Sequence, residues 1–241
     1  MDINDIYSRG QSVAQAGTAA RLGFLKRVYG WMAAGVALSA AGTGIAIKTG
    51  IAESLLRMGW AGALLMTFGW MGMAWFAQKV RHQQGLNVVA FAAYSLMTGV
   101  VMSSLVYIGL LMGQMQTGSS MTYVGQAFGI TALVFGSLSF YAATTKKDFS
   151  YLAGFLFVAT IALFVLSIIG IFFGGNTFAL VISFLAVLIF SGYVLFNTQQ
   201  VLRKYPENEH LAGAMVLFTD FAILFIHILR IILLLASGRR D

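Results

Sequence analysis

The stretch LAGAMVLFTDFAILFIHILRIILLLA (Leu211–Ala236) decides how the whole chain is read. It is apolar apart from Asp220, His227, Arg230 and one threonine. It is also as long as the roughly 17–25 residues with which a helix crosses the hydrocarbon of a bilayer. An ionisable group at that depth is costly, so a helix that carries three of them should not face lipid. It belongs in the middle of a bundle, against other helices. Asp220 and His227 are seven positions apart, nearly two full turns, which puts them on one face and roughly 10 Å apart along the axis. Arg230 is closer to the helix end and can reach the headgroups as an anchor.

Six further apolar runs lie upstream: Val28–Ile47, Gly59–Ala77, Val88–Met112, Tyr123–Ala143, Tyr151–Phe173 and Thr177–Phe196. None contains Asp, Glu, Lys, Arg or His. A membrane β-barrel would alternate polar and apolar residues over about ten positions. These runs are continuous and about twice as long, so helices are expected. The expected fold class is all-α: a polytopic integral membrane protein of seven transmembrane helices with the seventh central in the bundle. Six spans plus a re-entrant seventh is the competing topology.

Composition agrees. Of 241 residues 59% are hydrophobic and 10% charged, whereas a soluble domain has about 25% charged residues. The net charge of +7 could suggest nucleic acid, but the basic residues fall mainly between the apolar runs, where they set topology; no nucleic-acid partner is expected. With no cysteine, disulfides and thiolate metal sites are excluded. Arg9, Arg21, Lys26, Arg27, Lys79, Arg81, Lys146, Lys147, Arg203 and Lys204 fall on the N-terminal side of the bundle. Lys48, Arg57, Arg239 and Arg240 fall on the other. That bias places the N-terminus in the cytoplasm and, with seven spans, the C-terminus outside. The expected organisation is a polar N-terminal tail (1–27), a transmembrane domain (28–236) and a short C-terminal tail (237–241).

The sixth run ends in GYVLFNTQQVLRKYP, and Tyr205-Pro206 should stop that helix. Asn197 lies about 12 Å before the stop and Asp220 about 13 Å after the chain turns back at Leu211. The two should therefore sit at similar depth and be able to hydrogen-bond. Gly109/Gly113, Gly125/Gly129 and Gly170/Gly174 have the spacing that lets helices approach closely. Trp31, Trp60 and Trp75 lie near span ends, where an aromatic belt is expected. Glu53 and Arg57 read as a solvated pair on a loop. No HExxH, GxSxG or P-loop string occurs, and the spacing of His82, His210 and His227 matches no metal site, so neither an enzyme nor a resident cofactor is expected.

Four strings, in order, resemble the transmembrane BAX inhibitor motif family, the Bax inhibitor family: FLKRVYGWMAAGVAL (Phe24–Leu38), YAATTKKDFSYLAGFL (Tyr141–Leu156), YVLFNTQQV (Tyr193–Val201) and LFTDFAILFIHILRII (Leu217–Ile232). The resemblance implies a seven-helix bundle with a central last helix. Its bacterial members are described as pH-sensitive calcium leak channels of the cytoplasmic (inner) membrane. There, two aspartates on helices six and seven share a proton, and a basic residue near the end of helix two can pair with the second. Asp220 matches the helix-seven aspartate, and Arg81 is the candidate for the basic partner. Asn197 stands where the family has the other aspartate. Two close carboxylates resist joint ionisation and make a pH switch; an amide does not titrate. The resemblance thus implies a calcium-permeable leak with weakened or altered pH gating. Asp220 and Asn197 would form a weak, transient calcium site, with His227 lining the pore. The alternative is a modulator or partner of a membrane-anchored ATP-dependent quality-control protease, with the tail Met1–Arg21 as its handle. The oligomeric state is left open.

Overall fold

The computed structural model describes residues 18–81, 83 and 85–238 of the chain. Arg9, His82, Arg239, Arg240, the side chain of Arg21 and most of the tail read as a protease handle lie outside the described residues. Among the described residues eight α-helices follow one another: α1 Thr18–Lys48, α2 Ile51–Arg57, α3 Trp60–Lys79, α4 Leu86–Thr117, α5 Thr122–Thr144, α6 Leu152–Phe173, α7 Asn176–Lys204 and α8 His210–Ser237. Short turns join them. Glycines at positive φ, such as Gly50 (76°) after α1 and Gly118 (75°) after α4, make the reversals that a Cβ would strain. Tyr205 is extended (φ −76°, ψ 137°), as the residue before proline must be, and ends α7.

Among the described residues six stretches are long and apolar enough to cross a membrane: Gly23–Lys48 within α1, and α4, α5, α6, α7 and α8. The chain is a multi-pass, all-helical membrane protein. The run read as the second span, Gly59–Ala77, is the helix α3, but it is not among the six. Its three tryptophans and three glycines dilute its hydropathy. Its rings nevertheless touch the bundle at two heights. Trp60 meets Phe172 at 6.0 Å, and Trp70 stacks on Tyr94 at 5.9 Å. Two ends can be told apart. The basic end carries Lys79, Lys146, Lys147 and the α7–α8 corner; the far end carries Lys48 and α2.

The last helix is the most buried. Half of its most apolar window is enclosed, against 11–33% for the other five candidate spans. It packs mainly on α1, α4, α5 and α7, not evenly on all six other long helices as expected: α3 and α6 sit at the periphery. The cause is visible in the sequence. α8 alternates small residues (Ala212, Gly213, Ala214, Ala222) with Leu217, Phe218, Leu224 and Leu229, all buried, and this allows close approach on several sides.

Two boundaries differ from the hydropathy reading. α1 begins at Thr18, ten residues before the expected span start at Val28, and Phe24 and Val28 are both fully buried. The polar residues there hide the helix from a hydropathy reading but do not break it. The Glu53–Arg57 stretch is a helix, not a loop. It lies against α4, where Tyr107 Oη donates to Glu53 Oε1 at 2.6 Å and Arg57 sits 4.0 Å from the same carboxylate.

The backbones of α1 and α4 approach tightly where they cross, at Gly42 and Gly99. A Cβ on Gly42 would collide with the Leu96 carbonyl, and one on Gly99 with the Ser39 carbonyl. Thr43 Oγ1 donates across the same crossing to the Gly99 carbonyl at 2.9 Å. Of the glycine pairs singled out by spacing, Gly109 and Gly170 do meet neighbouring helices. Gly125 and Gly129 face open space.

Candidate functional site

The corner after α7 brings the polar residues of the last two helices together. α7 and α8 run antiparallel from Pro206, and the register is the one that helix geometry gives. Asn197 Nδ2 donates to Asp220 Oδ2 at 2.8 Å. Asp220 is 3% exposed, and Asn197 is half-buried. A carboxylate taken out of water requires hydrogen-bonded compensation, and here an amide of the adjacent helix supplies it. One residue before Asp220, Thr219 Oγ1 pairs with Tyr94 Oη of α4 at 2.9 Å and donates back to the Met215 carbonyl. Tyr94 is fully buried and packs edge-on against Phe218 at 5.9 Å. Thr98 extends this polar strand, accepting from Trp70 Nε1 at 3.0 Å and donating to the Tyr94 carbonyl at 2.8 Å. The acid thus sits beside a line of hydroxyls linking α3, α4 and α8.

The structure does not bring Arg81 to Asp220. Arg81 lies in the exposed turn after α3, and its charge acts instead on Tyr205 at the α7–α8 corner. Burial pushes the Tyr205 hydroxyl above its ordinary 10.0, while Arg81 pulls it back down. The partner of Asp220 is the neutral Asn197 amide. His227 lies two turns further along α8, where it lines a cavity of about 620 Å³ together with residues of α3, α4, α6 and α7. It is therefore separated from the Asp220–Asn197 pair and faces the side of the bundle. Among the described residues no group of three or more His, Cys, Asp or Glu is arranged to hold a metal.

The two residues that follow Asn197 also matter, although their spacing gave no reason to single them out. Thr198 Oγ1 pairs with Ser139 Oγ of α5 at 3.0 Å, and Ser139 in turn pairs with Tyr29 Oη of α1. Gln199 is 3% exposed and clamps the α5–α6 loop. Its Oε1 accepts from the Phe149 amide at 2.9 Å, and its Nε2 donates to the Lys147 carbonyl at 2.6 Å. Arg203 adds a 3.7 Å ion pair to Asp148. The Ser150 backbone amide donates to Asp148 at 2.9 Å and, with the Arg203 charge assisting, holds that carboxyl below its ordinary 3.8. The strings TTKKDFSY and NTQQ, distant in sequence, are two halves of one contact at the basic end. What could have flagged Gln199 is a large amide near the end of an apolar helix, one residue past a hydroxyl.

Comparison with known proteins places these strings in a family. The family described as "Inhibitor of apoptosis-promoting Bax1" matches residues 21–239. A vaccinia virus (strain Lister) protein named "Golgi anti-apoptotic protein" is 28% identical over 230 residues, covering 95% of this chain and 93% of the viral one. The mouse protein "Protein lifeguard 4" is 27% identical over 235 residues, covering 95% and 92%. An uncharacterized membrane protein of Vibrio cholerae is 37% identical over 109 residues, covering 45% and 48%. The matched region runs from the first turns of α1 through the end of α8, so it contains the hydroxyl line, the Gln199 clamp and the Asn197–Asp220 pair; the chain belongs to the Bax inhibitor family.

Proposed function

We propose that this chain forms a seven-span calcium-permeable leak pathway, with Asp220 as its acidic element and Asn197 as its fixed neutral partner. The observation that carries the reading is the 2.8 Å contact between them, buried where the last helix meets α7. α3 serves as the remaining span, since Trp60 and Trp70 contact the bundle at two heights. The basic end faces the cytoplasm under the Lys/Arg rule. The protein then resides in the cytoplasmic membrane of a bacterium with its N-terminus inside and its C-terminus outside.

The chemistry follows from the pair. An ionised Asp220 accepts from the Asn197 amide; a protonated one can donate to the same amide once it has turned over, because an amide carries both donors and an acceptor. The α7–α8 contact therefore survives in both protonation states, and gating by pH is shallow. Calcium prefers several oxygens. One carboxylate and one amide oxygen give a weak, transient site, suited to passage. The anti-apoptotic names of relatives describe a cellular outcome and add no chemistry. Loss of the second acid also favours a non-transporting role, as a partner of a membrane-anchored protease.

The test is calcium entry into proteoliposomes between pH 5 and 8. Entry above that of protein-free vesicles, varying little with pH, supports the leak. No entry at any pH removes it. Deleting residues 2–17 separates the two readings: a leak persists, whereas a protease partner that uses the tail loses its binding.

A further inference from the structure

α3 and α6 lie on the same side of the bundle and meet at the far end through the Trp60 and Phe172 rings. Below that contact an opening exposes the flank of α8. It leads into the 620 Å³ cavity, whose lining is mostly apolar, with Met71, Met102, Phe164 and Phe190 among its walls. A second cavity of about 450 Å³ shares Thr67, Val101, Ile226 and His227 with the first and extends to Arg230 and to α2. Each volume falls in the roughly 300–1,000 Å³ range of spaces that hold a small organic molecule.

Two polar groups mark the junction. The Nδ1 atom of His227 is buried without a hydrogen-bond partner. Arg230, three residues on and therefore on the same face, is exposed, and no ion pair to it occurs among the described residues. At that end of the bundle the described carboxylate is Glu53, already engaged by Tyr107 and Arg57. From Arg230 to the end of α8 at Ser237 is about 10 Å of helix, within reach of the headgroup layer for a guanidinium on a long stem.

We propose that this lateral groove is a binding site for one anionic phospholipid of the far-end leaflet. An acyl chain fills the apolar cavity, and the phosphate sits against the Arg230 guanidinium with His227 Nδ1 below it. Charge selects the occupant. A guanidinium binds phosphate through paired N–H donors and repels a divalent cation, so the groove is not the calcium route. The apolar walls select a lipid over a free anion, which would gain nothing from them. The site requires no ion flux and stands whether or not the leak does.

Native mass spectrometry of the full chain in detergent tests it, with phosphatidylglycerol, phosphatidylcholine or inorganic phosphate added singly. The expected result is one retained phosphatidylglycerol per chain, about tenfold less retained phosphatidylcholine, a difference of about 1.4 kcal/mol, and no retained phosphate. Arg230→Gln should erase the headgroup preference. Arg230→Lys, which keeps the charge but loses the fork, should retain part of it. Ile223→Trp, which fills the cavity beneath, should reduce retention of both lipids, with an unchanged melting temperature as the control for folding. Equal retention of the two lipids by the natural chain, or a preference that survives Arg230→Gln, overturns the proposal. Retention of inorganic phosphate alone overturns the lipid assignment.

Discussion

Replacing Asn197 by Asp should convert a shallow pH response into a steep one. The donor–acceptor distance to Asp220 is 2.8 Å. Two carboxylates in that geometry would have charge centres about 4 Å apart, and at an effective dielectric of about 20 they repel by about 4 kcal/mol. At 1.36 kcal/mol per pH unit this separates the two ionisations by about three units. The pair then holds one shared proton over a broad range and loses it in a distinct step. When that proton leaves, the hydrogen bond joining α7 to α8 is replaced by repulsion, so the contact opens. Calcium entry into proteoliposomes, measured every half unit from pH 5 to 8, should show a clear step for Asn197→Asp and a shallow slope for the natural chain. The double variant Asn197→Asp/Asp220→Asn restores one acid and one amide, and should return to the shallow slope. A profile for Asn197→Asp that overlays the natural one would show that the two side chains are not in contact in the membrane, because charges so placed cannot ionise independently.

Other consequences follow from the packing. Gly99→Ala drives a methyl group into the Ser39 carbonyl and should cost about 1–3 kcal/mol as overpacking, read as a lower melting temperature in detergent. Gly129→Ala, where nothing lies within 4 Å, should leave it unchanged. Gln199→Leu strands the buried Phe149 amide and should destabilise the protein by about 1–3 kcal/mol, with faster proteolysis after Lys146 or Lys147. Asp148, whose carboxyl is held below 3.8 in the folded protein, contributes stability present above that value and lost as pH falls below it. Exchange of the Ser150 amide should therefore accelerate, relative to its intrinsic rate, only under strongly acidic conditions, and Asp148→Asn should weaken that pH dependence.

Much of the bundle was legible because a membrane makes composition and structure nearly the same statement. Runs without charge are long helices, and the basic clusters fall at or beyond their ends, in the terminal turns as often as in the connections. The burial of α8 was legible from Asp220, since a helix bearing an acid must find partners. The Asn197–Asp220 register was legible because a proline fixes where α7 stops, and 1.5 Å per residue does the rest. What the sequence hid depends on lateral arrangement. The glycine spacing at Gly125/Gly129 looked like a packing motif, yet the tight crossing is at Gly42 and Gly99, one glycine from each of two helices far apart in the chain. Arg81 is paired with Asp220 by resemblance alone, in an exposed turn where helical periodicity gives no direction, and its charge lies close enough to lower the Tyr205 hydroxyl instead. The start of α1 was missed because Arg21, Lys26 and Arg27 lower the hydropathy of residues that are nonetheless helical. The displacement of α3 and α6 to the periphery, which opens the lateral groove, has no signature in either helix alone.

In the proposed pathway the Asp220 carboxylate is the titrating, ion-handling element. The most direct measurement compares calcium entry into proteoliposomes containing Asp220→Asn with entry through the natural chain, at matched protein content and across pH 5 to 8. Substitution by an amide keeps the shape and the hydrogen bond to Asn197 while removing the charge. Entry should fall to the level of protein-free vesicles, with no remaining dependence on pH. Entry that continues at the natural rate, with the natural pH slope intact, would contradict that role for Asp220.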